Sequence, residues 1–529
     1  MTLQTTDTEQ TNDSFSSTST STQQAASGSR HYQKTFQQLV DAINRNIGRN
    51  IGNQSDLHFT LTLTGEDSQF TRFSQVKVRQ TGQVCDGQLR LTLITSKEIT
   101  SEEISSKDGS HESKRDSVPS QAADANKAHR TATITLPFTG NFTADWKVIQ
   151  PALTQLQAEL PLLPIDPYAV LPTKTQATSQ ASHQSQNHTN EVHTGNLLEA
   201  SAVAEALLNP IRSSAEETSP ALDFSGLYAG GLSYRAYADS VGKRHWFETP
   251  SFTLDYSLFG SRLQQAVKGT VAGKHWNPEK YEQDIAAVAA QLKLLSRPAK
   301  AVPRGSYRTY LAPAAVADII DTIIWGGLGE ASLRQGNSAF SKLEQGEAVL
   351  SEQFSLEEDF QRIGIPRFNS SGEIAPTRLP LIQKGQWASS LINGRSAKEY
   401  GKASNGANEE EVMRAPTVAP GTLKEKDILA ELDTGLYISN LHYLNWSDLN
   451  AGRITGMTRY ACFWVEDGEI VAPIENLRFD DDLYRFLGEG LIALTDQQTF
   501  LPAVGTYDRR SLGGMWVPGM LIDQFRYTL

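Results

Sequence analysis

The chain has 529 residues, with 48 Lys and Arg against 60 Asp and Glu, a formal net charge of −12. That length accommodates roughly three or four folding units. The acidic balance argues against general nucleic-acid or anionic-membrane binding, both of which draw on clustered positive charge. Two cysteines, Cys85 and Cys462, exclude a disulfide framework and any zinc site built from four thiolates, and fit a reducing compartment. The longest apolar candidate, Ala314 to Trp325, is interrupted by Asp318 and Asp321 and falls short of the ~18 residues that span a bilayer. The opening Met1-Thr2-Leu3-Gln4 lacks a basic segment followed by an apolar one. We therefore expect no secretory signal and a soluble cytoplasmic protein.

Residues 1–30 are Ser, Thr, Gln and Ala with almost no large apolar groups. Such a stretch buries too little surface to offset its ordering entropy, and the expectation is a disordered tail. Phe36, Leu39, Val40, Ile43 and Ile47 then recur at helical spacing. Leu57, Phe59, Leu61 and Leu63 alternate as in a strand, and Phe73–Arg79 and Gln88–Ile94 read as two more. Polar, low-complexity runs near 101–127 and 173–194 read as surface insertions. Between them, Ile149, Leu153, Leu156 and Leu160 mark a helix that Pro161 stops.

Leu232–Tyr237 and Trp246–Leu258 read as strands and Asp284–Leu295 as a helix. Val316, Ile319, Ile320, Ile323 and Ile324 place one helical face against a core, ended by Gly326-Gly327-Leu328-Gly329. Beyond about Pro366 the text is rich in Gly and short strands: Leu436–Leu441, Met457–Val465 and Glu469–Pro473, with Asp467-Gly468 as a hairpin turn. The fold class expected is α+β. An amino-terminal mixed α/β domain would span 31–220, and a β-rich, mainly antiparallel part would span 221–529.

Chemistry-bearing patterns are sparse. No histidine begins H-E-x-x-H, and His183, His188 and His193 fall in the polar insertion, which supplies no fixed ligand geometry. Asp318 and Asp321 lie three apart on the polar side of the strong helix. They suit an acid/base pair or a hard cation, and equally an exposed helix face. The Gly326–Gly329 loop follows a helix rather than opening one, so it reads as a helix stop and not as a phosphate cradle. Asp480-Asp481-Asp482 lacks the alternating ligands and the Gly of a calcium loop, and reads as a solvated turn or helix start. Cys462, within Tyr460–Trp464, reads as a buried inert thiol.

Five phrases together resemble the TldD/PmbA family, whose second branch is called TldE. They are Thr71-Arg72-Phe73-Ser74-Gln75 continuing to Val78-Arg79-Gln80, Gly305–Pro313, Arg334-Gln335-Gly336-Asn337-Ser338-Ala339-Phe340, Gly435-Leu436-Tyr437-Ile438, and Glu466–Pro473. They occur in the family's order and spread over most of the chain outside the three polar stretches. The catalytic branch carries H-E-x-x-x-H and a later cysteine as zinc ligands. Aligned without gaps on R-x-G-x-S-x-F, that motif falls on Asp321-Thr322-Ile323-Ile324-Trp325-Gly326. A glycine binds no metal, a threonine is no carboxylate base, and no cysteine follows Cys462. Positions five apart also point about 140° apart on a regular helix.

The resemblance is thus to the PmbA/TldE branch. It implies a non-catalytic partner subunit, inactive alone, of a zinc metallopeptidase acting on unfolded or modified peptides. The zinc would sit in a TldD-like catalytic subunit and not in this chain, and edge strands of the β-rich half would receive the peptide. The alternatives are an independent hydrolase using Asp318 and Asp321, and a peptide-binding assembly module without a peptidase partner. No residue is identified that grips peptide.

Overall fold

The computed structural model describes residues 18–50, 57–98, 127–173, 187–218, 222–260 and 266–528. The architecture is α+β, in two layers built on two sheets. The first sheet contains β1 (Leu57–Ser74), β2 (Lys77–Glu98), β3 (Lys127–Pro137), β4 (His188–Val192), β5 (Leu222–Asp239), β6 (Arg244–Gly260) and β7 (Ala266–Gly273). Its order is β3-β2-β1-β5-β6-β4, with β7 also on β6, and only β4 is parallel to its neighbour. Four helices accompany it: α1 (Thr18–Asn50), α2 (Phe142–Glu159), α3 (Val203–Thr218) and α4 (Pro278–Leu295).

Strand alternation assigns the two faces. Phe59, Leu61 and Leu63 of β1, with Tyr234 and Trp246, pack under α1 and α2. Phe73, Phe224 and Tyr256 pack under α3 and α4. These residues share one parity along each strand, so all four helices cover one face of the sheet. The opposite face carries Thr60, Thr62, Thr64, Arg90 and Arg235, and it turns toward the second layer.

The second sheet has thirteen strands. In chain order they are β8 (Gly305–Leu311), β9 (Leu356–Asp359), β10 (Arg378–Gln383), β11 (Gln386–Trp387), β12 (Pro416–Val418), β13 (Gly435–Ile438), β14 (Asn440–Asp448), β15 (Arg453–Arg459), β16 (Phe463–Glu466), β17 (Glu469–Pro473), β18 (Arg478–Asp482), β19 (Leu491–Pro502) and β20 (Gly514–Tyr527). The main path is β11-β10-β9-β12-β20-β8-β13-β16-β17, and β19 and β18 also pair with β20. Helix α5 (Pro313–Ile324) follows β8 directly. Pro313 supplies the fixed φ of a first helical residue. Val316, Ile319, Ile320 and Ile323 are fully buried in the main core of this layer.

The two layers are pinned together by the β19–β20 loop. Arg510 donates to Ser68 Oγ (2.7 Å), Ser233 Oγ (3.0 Å), Gly231 O (2.9 Å) and Ser251 O (3.1 Å) of the first sheet.

Several expectations are corrected by this architecture. The boundary near 220 falls inside the first sheet, because β5–β7 hydrogen-bond onto β1 and belong with the earlier strands. Phe73–Arg79 is not one strand but a hairpin tip, with Gln75 and Val76 at φ 55° and 54° in a two-residue turn. Residues 188–192 of the second polar run form β4, paired along Arg244–Glu248. Leu436–Leu441 divides at Ser439 into β13 and β14, and Met457–Val465 divides at Tyr460 (φ 64°) into β15 and β16. Helix α1 begins at Thr18, inside the stretch expected to be disordered. Residues 1–17 and 101–126 lie outside the described residues.

Candidate functional site

Helix α5 has a second face. Ala314, Ala317, Asp318, Asp321 and Ile324 recur at helical spacing and line a cavity of about 1050 Å³ between the layers. The polar face of the first sheet forms the opposite wall, with Thr62, Thr64, Gln88, Arg90, Arg235, Asp255 and Lys268. Leu501, Val504, Leu512 and Met515, from the end of β19 through the start of β20, close one side.

Most charges in this cavity are matched. Arg90 Nη1 lies 3.2 Å from Glu409 Oε2, and Ser370 Oγ donates to Glu409 Oε1 at 2.8 Å. Lys268 Nζ lies 2.6 Å from the Asp255 carboxylate, which also accepts from Thr270 Oγ1. The Arg414 guanidinium donates to the carbonyls of Phe368, Arg367 and Gly406. Arg235 donates to those of Gly65 and Tyr234.

Asp318 and Asp321 differ. Asp318 Oδ2 accepts from Leu441 N–H at 3.0 Å, and among the described residues neither carboxylate has a salt-bridge partner. Burial, opposed by the Leu441 N–H and Lys268 and reinforced by Asp321, pushes the Asp318 carboxyl up to about 7. Desolvation by the cavity walls raises Asp321 as well. This face of α5 thus lines the cavity with Asp318 half-buried and Asp321 still exposed, and the Asp318 carboxyl stands where proton exchange occurs near neutral pH.

The positions aligned with the zinc motif do not converge. Asp321 faces the cavity. Thr322 is buried, its Oγ1 donating to Asp318 O at 3.0 Å. Gly326 lies beyond the end of α5, and a Cβ there would stand 2.3 Å from Trp446 Cζ2. Cys462 is buried, its Sγ 3.2 Å from Arg459 O, with burial raising its thiol. Zinc does not fit these residues: one side chain is absent, one is committed to the helix backbone, and no thiolate reaches them. Among the described residues no three His, Cys, Asp or Glu gather in metal-binding distance.

The R-x-G-x-S-x-F segment has a structural role. Ser338 Oγ donates to Gly327 O at 2.6 Å and accepts from Phe340 N–H at 3.0 Å, and Phe340 is fully buried. Gly327 holds φ 97° against this segment, as the helix stop requires. Arg334 ties Glu330 to Glu344.

Other sequence candidates are dispersed. His188 lies on β4, and the His193 ring stands edge-on to Phe247; His183 lies outside the described residues. The acidic run is not a solvated turn throughout. Asp481 is fully buried against Arg485 and accepts from Arg526 N–H, while Asp482 caps the helix that follows. Sequence reasoning missed Arg90, Asp255, Lys268 and Glu409. For Arg90, Asp255 and Lys268 the only signal is the polar phase of strands whose other phase is apolar, which ordinarily marks a solvent face; Glu409 lies in a turn outside the strands and carries no such signal. No described helix is long and apolar enough to cross a membrane.

Residues 304–528 match the family described as PmbA/TldA metallopeptidase C-terminal domain. No curated relative matches the chain. The fold is similar to that of TldE from Thermococcus kodakarensis, with TM-score 0.67 and 12% identity over 94% of this chain and 100% of that one. It is also similar to a candidate modulator of a DNA gyrase from Thermotoga maritima, with TM-score 0.67 and 14% identity over 94% and 100%. A third similar structure, from Bacteroides thetaiotaomicron, has TM-score 0.66 and 14% identity over 93% and 98%. Residues 304–528 thus match that family's C-terminal domain in sequence, and 94% of the chain is similar in fold to TldE.

Proposed function

We propose that the chain is the non-catalytic subunit of a cytoplasmic heteromeric metallopeptidase, paired with a zinc-bearing TldD-like chain. Together they would act on unfolded or modified peptides. The observation that carries this reading is the Gly326–Trp446 contact. The position aligned with a metal ligand has no side chain, and an indole fills the space where one would project. Thr322, aligned with the general base, spends its hydroxyl on the backbone of its own helix. On this reading the metal chemistry is supplied by another chain. This subunit contributes the polar sheet face and the cavity, which shelter and orient an extended peptide.

Affinity purification of the full chain from its native cell tests the pairing. A chain carrying H-E-x-x-x-H, recovered in equal amount, supports it. Recovery of the chain alone or with itself, under conditions that preserve complexes, refutes it.

One observation favours a second reading, an independent hydrolase. The Asp318 carboxyl at about 7 lies beside Asp321 in a cavity of substrate size. Under that reading the isolated protein would hydrolyse a substrate, and Asp321→Ala would abolish the activity.

A further inference from the structure

Toward β3 the large cavity adjoins a smaller pit of about 180 Å³, and Thr62, Arg90, Ser370 and Glu409 border both. Three strands of the first sheet give the pit a hydroxyl-bearing wall, with Thr60 on β1, Thr92 on β2, and Thr131 and Thr133 on β3. Ser370 and Ser371 of the second layer face that wall. The pit has room for about six waters. That is space for one amino-acid residue and too little for a chain that passes through.

Lys243, in the turn between β5 and β6, also lines the pit and is only 6% exposed. Its N–H donates to Asp239 Oδ1 at 2.9 Å, which fixes the turn. The nearby carboxylates are engaged elsewhere. Asp239 also accepts from the Tyr237 hydroxyl and Val241 N–H, and Glu373 accepts from Asn369 Nδ2 and Ser404 Oγ. Glu409 holds Arg90 and Ser370. Among the described residues the Lys243 ammonium has neither an ion-pair nor a hydrogen-bond partner. Lysine is seldom buried unless paired, because an uncompensated ammonium loses its hydration and gains no attraction in exchange.

We propose that the pit is a carboxylate site, in which Lys243 holds the C-terminal carboxylate of a peptide whose preceding residues lie in the large cavity. One uncompensated positive charge, with Glu373 and Glu409 at the border, matches a monoanion and disfavours a dianionic phosphate. The threonine and serine hydroxyls supply donors for carboxylate lone pairs that Lys243 does not reach. The small volume selects a chain end over an internal acidic residue, since the chain stops where the pit stops. That the ligand is a peptide rests on the function proposed above; that a carboxylate belongs beside Lys243 rests on the pit alone.

Isothermal titration calorimetry of the full chain with unlabelled, amino-terminally acetylated pentapeptides of Gly, Ser and Ala tests this. One peptide ends in a free acid, and its match ends in a carboxamide. A third ends in a carboxamide and carries an internal Glu. The free acid should bind about tenfold or more tighter than either carboxamide. In Lys243→Met that preference falls to parity, with the far-ultraviolet circular dichroism unchanged. Equal affinity for acid and carboxamide in the unaltered protein overturns the proposal without any variant, as does failure of all three to bind. An internal Glu that binds as tightly as the free acid overturns it too, and so does a preference that survives Lys243→Met. Subunit pairing is read separately by the purification above, so the two readings fail independently.

Discussion

Arg510 and Glu66 form an ion pair across the two layers, Nε to Oε2 at 3.4 Å, with each side chain 2% exposed. The guanidinium also bonds Ser68, Ser233, Gly231 and Ser251, so its donors are shared among several acceptors of the first sheet. A desolvated charge in such a cage is strongly bound as a set, and removing one member leaves the other buried and unpaired.

Arg510→Met should therefore cost about 3–5 kcal/mol, because Glu66 is stranded. Urea unfolding followed by both tryptophan fluorescence and circular dichroism measures this. Glu66→Gln in the same chain should recover part of the loss. A single-variant loss below about 1 kcal/mol would show the pair to be dispensable.

Rebuilding the metal motif should fail. Asp321→His/Thr322→Glu/Gly326→His places a carboxylate at a buried threonine position and a ring where Trp446 already stands. An unpaired buried carboxylate and an overpacked contact each destabilise by about 1–3 kcal/mol or more. Metal analysis should find no stoichiometric zinc in the folded triple variant, and its melting temperature should drop by several degrees. One tightly held zinc per chain would contradict the geometry described here.

Asp318 makes stability depend on pH with a definite sign. Its folded-state carboxyl is raised to about 7 by burial, with Asp321 reinforcing the shift and Lys268 and the Leu441 N–H opposing it. The unfolded carboxyl titrates near ~3.9. Between those values the folded chain binds the extra proton. This group's contribution is present in full below about pH 4 and is lost as pH rises through about 7. Asp318→Asn keeps an oxygen for the Leu441 N–H and removes the titration. The variant should melt higher than the unaltered chain at pH 8, with the difference shrinking toward pH 4–5. A constant difference across that window would exclude the linkage.

Ser338→Ala should lower stability by about 1–3 kcal/mol, since it leaves the buried Phe340 N–H without the hydroxyl that accepts from it. Thermal unfolding of the single variant checks this, and no change would mean that the segment tolerates the loss.

The elements legible from sequence were those with one strong phase. Val316, Ile319, Ile320 and Ile323 gave α5 through their period, and Phe59, Leu61 and Leu63 gave the start of β1. The Asp467-Gly468 turn stands as read, with both residues at positive φ. What the pattern could not supply was pairing at a distance. Nothing local says that β5 joins β1 rather than a later sheet, so the boundary near 220 was misplaced. The same limit hid the cavity. Thr62, Thr64 and Arg90 look like a solvent face until the second layer covers them, and Asp318 looks exposed until Leu441 and Lys268 are brought beside it.

The central claim is that this chain supplies no zinc site of its own and depends on a partner for hydrolysis. Zinc content and peptide cleavage, measured together on the isolated full-length chain and again after adding the zinc-bearing partner, address it most directly. The account predicts far less than one zinc per isolated chain and no cleavage, with cleavage appearing only when the partner is present. One zinc per isolated chain, accompanied by peptide hydrolysis, would contradict it.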